Sequence, residues 1–251
     1  MNKNDSNIKK DNRKALPKFL LIIVISFIFG LLMSTLKFNK GLTIKELFTN
    51  FGIIFTNNAP YTLWALTIIL SLASMYYLKK AHSLFNSWDG EDEKTIADSE
   101  MKINYVILFT SINLILGFLL FGTFTLKNDS DFIPALILLA GFIVMLALTT
   151  FLQQKAVDLV RKINPEKQGS IYDSKFKDKW LASCDENEIR QIGQSSYKSY
   201  VATTLTCIIL MLVTFIAKDI LEFGLYPFVI IAIIWLVSTV TYIVEAIRIN
   251  K

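Results

Sequence analysis

The stretch Phe132–Leu152 reads FIPALILLAGFIVMLALTTFL, 21 residues without one charged side chain. Such a segment suits either a buried soluble core or the hydrocarbon layer of a bilayer, which about 20 helical residues cross. Its neighbours decide between them. Five more blocks of the same kind flank it: Phe19–Leu36, Tyr61–Leu78, Ile103–Leu126, Tyr200–Ala217 and Tyr226–Val244. A soluble chain does not carry six. Of the 251 residues 53% are hydrophobic and 19% charged, against about 45–50% and about 25% in globular domains.

Helices are the reading for every block, because lone strands in lipid leave backbone groups unpaired, and a barrel would show short alternating segments. The expected fold is an all-α integral membrane protein, residues 1–251 forming a single membrane domain of six transmembrane helices in three hairpins. A soluble enzyme, a disulfide scaffold and a disordered regulator are excluded.

Lysine and arginine orient the spans. The arm 1–18, the loops 79–102 and 153–199 and the C-terminal tail carry 21 of them, and the opposite side carries 5. The positive-inside rule places both termini and the two long loops, read as helical, in the cytoplasm of a plasma-membrane protein. No small-x-small cleavage site follows the first span, so it is expected to remain as an uncleaved helix. The formal charge of +5 then reflects a basic face against anionic lipid and needs no nucleic acid.

Pro60, Pro134 and Pro227 mark the starts of the even-numbered spans, where a missing N–H costs nothing. Between the first two spans, Thr43-Ile44-Lys45-Glu46 matches a capping box, and apolar positions follow at helical spacing. A short amphipathic helix over about 43–56 on the outer leaflet is expected. Setting Asp89 against Asp185 aligns Ile96 with Ile192, Ser99 with Ser195 and Lys102 with Lys198, which suggests related helix–loop–helix units.

Loop 153–199 is too long for a plain connector. The fourth helix is expected to run on through Lys162 and stop at Asn164-Pro165, because proline disfavours helix in the residue before it. Gly169 permits the following turn. Asp173 is expected to cap a short helix bearing Phe176 and Trp180 on one face, with Tyr172 just before it. Lys175, Lys177 and Lys179 flank that face, the composition of a helix at the headgroup layer. Ser183-Cys184-Asp185-Glu186 matches a second capping box, opening a helix that enters the bilayer as the fifth span. Ile189, Ile192, Gly193 and Ser196 form a stripe expected to meet a neighbouring helix. Asn164, Pro165, Gly169, Tyr172, Asp173, Phe176, Trp180, Ser183, Asp185 and Glu186 are thus the candidate partner or lipid-interface residues.

The run Asn164 to Asp173, followed by Phe176, Trp180 and Ser183-Cys184-Asp185-Glu186, resembles the signature of an uncharacterised membrane family of low-GC Gram-positive bacteria, the domain of unknown function 3169. That resemblance implies a multi-pass plasma-membrane protein without an established activity, and it brings no catalytic or ligand residue with it.

Chemistry-bearing groups are scarce. With Cys184, Cys207 and His82 alone, no Cys/His zinc site can be assembled, and the acidic run 89–93 lacks the spacing of a calcium loop. The spans hold no Asp, Glu, Lys, Arg or His, whereas proton relays and ion-coupled pumps need an ionisable group at depth. No catalytic residue, cofactor or metal is therefore expected, and no enzyme. The leading functional expectation is a permease-like or accessory subunit working with a separate ATPase in export of, or resistance to, amphipathic peptides. The alternative is a non-transporting immunity or envelope-stress sensor. Expected partners are the lipid bilayer, a cytoplasmic ATPase subunit or regulator, and a second copy of the chain.

Overall fold

The computed structural model describes residues 41–126, 131–221 and 224–249, with isolated positions between 13 and 28. The basic arm and the first expected span, Phe19–Leu36, lie outside the described residues apart from those positions. The described residues form seven helices: α1 (Gly41–Asn57), α2 (Ala59–Asn86), α3 (Glu93–Thr125), α4 (Phe132–Ile163), α5 (Phe176–Ala182), α6 (Glu186–Leu221) and α7 (Tyr226–Ile249). Five of them, α2, α3, α4, α6 and α7, are long and apolar enough to cross a membrane. No strand occurs among the described residues.

Helix boundaries follow local chemistry. Pro60 stands in the first turn of α2. Asp92 caps α3, accepting from Lys94 N at 3.0 Å and from Thr95 Oγ1 at 2.6 Å. Asn164 ends α4, its N–H reaching Val160 O at 2.8 Å. The helix of the 43–56 segment is observed as α1, whose Leu47, Phe48, Phe51 and Ile54 are exposed.

The chain divides into two units, residues 49–199 and residues 1–48 with 200–251. Within the second, Tyr200 stacks on Tyr242 with ring centroids 4.3 Å apart, and Cys207 and Thr214 are buried.

In the first unit α2, α3 and α4 pack pairwise. Ser99 at the start of α3 donates to Ala81 O near the end of α2 (3.0 Å). Farther along α3, a Cβ on Gly117 would lie 3.5 Å from Leu63 near the start of α2. The two helices therefore run antiparallel. Small residues let the backbones approach: a Cβ on Gly117 would stand 2.6 Å from Met145 Cε, and one on Gly141 would stand 2.8 Å from Trp64 Nε1. Between hydrocarbon-solvated helices such close packing replaces the hydrophobic drive available in water.

The interior is layered. One apolar cluster joins Ala59, Leu63, Leu120, Phe124 and Leu138. A second joins Ala81, Ile103, Val106, Ala156 and Leu159. Between them lie buried Thr67, Ser71, Thr110, Asn113 and Thr149. Asn113 Nδ2 donates to Thr149 Oγ1 and Gln153 Nε2 to Thr110 Oγ1, each at 3.3 Å. Meanwhile Ile69, Leu72, Ile115, Phe118, Leu136 and Ile143 are half or more exposed. A polar layer within the apolar interior, and large apolar side chains exposed around it on five helices of spanning length, suit a membrane protein.

Candidate functional site

Where the three-helix bundle meets loop 164–185, the chain builds a compact module around two polar side chains. Gln154 projects from α4; its Oε1 accepts from Ser170 Oγ (3.0 Å) and Ile171 N (2.8 Å), and its Nε2 donates to Asp158 Oδ1 (2.8 Å). One glutamine thus straps the loop to the helix.

Lys167 is the second. It follows the stop at Asn164-Pro165, where Asn164 O accepts from Lys167 N at 3.1 Å, and is 3% exposed. Its Nζ pairs with Glu188, donates to Cys184 Sγ at 3.1 Å and stands 5.4 Å from the centre of the Trp180 ring. Burial draws the ammonium down from its ordinary value, but the hydrogen bonds it donates to Glu188 and Cys184 outweigh that and hold it above. Glu188 is also the capping acid of α6: it accepts from Asp185 N at 2.9 Å, while its own N–H donates to Asp185 Oδ1 at 2.8 Å. The reciprocal pair is a capping box displaced by two residues from the Ser183–Glu186 assignment. Ser183 instead closes α5, its hydroxyl donating to Trp180 O (2.8 Å) and accepting from Gln168 N (3.1 Å).

Asp173 does not cap α5 directly. Its Oδ1 accepts from Lys175 N at 2.9 Å and its Oδ2 pairs with Lys179, a turn that precedes the helix. Those two hydrogen bonds hold the Asp173 carboxyl below its ordinary value. Gly169, at φ +114°, is where the chain folds back, and a Cβ there would stand 2.9 Å from the Phe176 ring. Phe176 contacts Trp180, ring centroids 5.5 Å apart, and both are half-buried. The aromatic face of α5 is thus turned onto the module, leaving Tyr172, Lys177 and Leu181 exposed. Pro165, Asp185 and Glu186 are exposed as well, and Asn164 Oδ1 accepts from Glu166 N at 3.2 Å. Ile189, Ile192, Gly193 and Ser196 are exposed, with no neighbour within 4 Å of a Cβ on Gly193. Among the described residues the expected helix contact is not made there.

The first loop repeats the wiring of the second. Ser87 Oγ donates to Leu84 O at 2.9 Å, as Ser183 Oγ does to Trp180 O. Asp89 Oδ1 accepts from Asp92 N at 3.1 Å, as Asp185 Oδ1 does from Glu188 N. These positions keep the 96-residue offset of the sequence alignment. Glu100 lies on the extension of α3 beyond its apolar block, within the electrostatic reach of the ion pair. Burial first, and Glu188 second, raise its carboxyl above the ordinary value, only partly countered by Lys167.

A family model described as a protein of unknown function (DUF3169) matches residues 9–246. The chain belongs to this family. The match takes in α1 to α6, most of α7 and the entire strapped module, so the DUF3169 assignment applies to the site as well as to the spans. No curated protein and no solved structure matches the chain.

Gln154, Lys167 and Glu188 are absent from the candidate interface residues named from sequence, although Lys167 lies inside the run that carries the family resemblance. The signal for Glu188 was present, since Asp185-x-x-Glu188 also fits a capping box. Nothing local distinguishes Lys167 from a solvated lysine.

Proposed function

We propose that this is a non-enzymatic multi-pass plasma-membrane protein, a permease-like or accessory subunit driven by a separate cytoplasmic ATPase in export of, or resistance to, amphipathic peptides. Both termini and the two long loops face the cytoplasm in this reading, as the 21-to-5 division of Lys and Arg supports. The observation that carries it is the double strapping of the segment 164–175 that leads into α5, by Gln154 to α4 and by Lys167 to α6, with Lys167 Nζ also over the Trp180 ring of α5. A short helix joined through that segment to two long helices is a lever: force applied to Tyr172, Lys177 and Leu181 is passed to the spans. The ten residues selected by sequence form or border this lever.

The test is purification of the tagged full chain in mild detergent, followed by assay for a co-purifying nucleotide hydrolase. The expected result is recovery of an ATPase that is lost on Tyr172→Ala/Leu181→Ala, with the thermal melt unchanged. Recovery unaffected by that variant, or no ATPase in any mild detergent, overturns the reading.

The exposed apolar face of α1 favours a second reading, a non-transporting immunity or stress sensor that binds a membrane-active peptide there. Deleting residues 43–56 then abolishes peptide protection, whereas the lever variant leaves it intact.

A further inference from the structure

The ends of α2 and α4 enclose a groove of about 420 Å³ lined by His82, Lys155, Asp158, Leu159, Arg161, Lys162 and Pro165. Its charge is lopsided. Three cations face one acid, and that acid, Asp158, already accepts a hydrogen bond from Gln154. Arg161 and Lys162 lie in the last turn of α4, where cations answer the helix dipole. Lys155 stands two turns earlier, beyond the reach of that effect, so the dipole does not account for the cluster. The positive field registers on His82, whose imidazole is held below its ordinary value by burial and then by Lys162 and Lys155.

The groove also terminates an apolar lane. Leu139, Ile143 and Phe151 are exposed on α4 at 46%, 57% and 48%. Spaced by four and eight residues, they trace a band that winds around α4 by about 40° per four-residue step and continues into Lys155 and Lys162. Lys155 Nζ lies 5.5 Å from the centre of the Phe151 ring, where the lane meets the charge. A soluble anion would use the cations and ignore the lane. A molecule with a phosphate at one end and a hydrocarbon chain at the other uses both.

We propose that this groove binds the headgroup of an anionic phospholipid, with Lys155, Arg161 and Lys162 on the phosphate, His82 as a further polar wall, and the Leu139–Ile143–Phe151 lane against one acyl chain. Basic pockets between spanning helices are a recurrent setting for such headgroups. The inference needs only that the chain spans a bilayer, so it stands or falls apart from any ATPase partner.

The test is native mass spectrometry on the detergent-solubilised full chain, offered phosphatidylglycerol or phosphatidylcholine with identical acyl chains. Phosphatidylglycerol is expected to be retained about ten-fold more tightly, the preference falling to unity in Lys155→Gln/Lys162→Gln. Lys155→Arg/Lys162→Arg keeps the preference, which separates lost charge from lost folding. Lys79→Gln/Lys80→Gln removes equal charge from exposed positions of α2 outside the groove and leaves the preference intact. Equal retention of the two lipids, or equal effects of the two glutamine doubles, overturns the proposal. Displacement of bound phosphatidylglycerol by glycerol phosphate at matched concentration overturns the lipid and assigns the groove to a free phosphate ester.

Discussion

Lys167 reaches across 21 positions to Glu188, and Glu188 is at the same time the side chain that closes the first turn of α6 on Asp185. One carboxylate therefore both starts a spanning helix and anchors the loop before it.

Removing either partner of a buried pair strands the other, a loss of about 3–5 kcal/mol when both are fully buried. Glu188 keeps 31% of its side chain in solvent, so Lys167→Met is expected to cost about 2 kcal/mol. The double variant Lys167→Met/Glu188→Gln should recover part of it. Thermal unfolding followed by tryptophan fluorescence measures both. The Lys167 ammonium is held above its ordinary 10.5, so on the alkaline side the pair's contribution persists through pH 10.5 and is lost as pH climbs through the raised value.

Glu100 supplies a pH dependence of a different kind. Its raised carboxyl means that the charged form is disfavoured in the fold, so Glu100→Gln should melt higher than wild type at pH 7.5. Below the ordinary value of 4.5 wild type is protonated both folded and unfolded, and the advantage should vanish. A constant difference across that range would contradict the assignment.

Gly141 and Gly117 separate by what they face. An alanine at 117 meets the end of a flexible methionine, which can swing aside. At 141 it meets the rigid Trp64 indole, whose Nε1 donates to Ile137 O at 3.0 Å. Gly141→Ala is expected to cost about 1–3 kcal/mol and Gly117→Ala less than half of that. Melts of the two variants, with Trp64→Phe as a partial rescue of Gly141→Ala, decide it.

Gly169→Ala combines a disallowed φ with a clash on Phe176. A loss of about 2 kcal/mol is expected, and Phe176→Ala in the same chain should relieve only the steric share. Faster tryptic cutting at Lys175, Lys177 and Lys179 reports the loosened loop.

Thr67 Oγ1 and Ser71 Oγ are buried without a hydrogen-bond partner among the described residues. Replacing an unpaired polar group by an apolar one of the same shape is neutral or stabilising, so Thr67→Val is expected to hold or raise the melting temperature. Asn113→Leu, which deprives Thr149 of its donor, should lower it.

The features legible in sequence are the local ones. The halt of α4 at Asn164-Pro165, the turn at Gly169, and helices over 43–56 and 176–182 follow from residues adjacent in the chain, and spanning length follows from hydropathy. The capping box is not fixed by sequence, because two overlapping patterns, Ser183-x-x-Glu186 and Asp185-x-x-Glu188, both satisfy the rule. Only tertiary structure shows that Ser183 is engaged by Trp180 and Gln168. Buried Lys167 and the Gln154 strap are contacts across 16 to 21 residues, and no periodicity encodes them. The stripe on α6 has the right composition for a helix contact but lies exposed, since small and apolar residues suit lipid as well as protein.

The layer of Thr67, Asn113 and Thr149 has an electrical consequence. Each elementary charge displaced across a membrane couples to its voltage by about 2.3 kcal/mol per 100 mV, and α2, α3 and α4 carry no formal charge through their apolar blocks. For a bundle set across a bilayer, the potential meets no formal charge within these blocks, and a voltage response carried by formal charge originates at the charged rims.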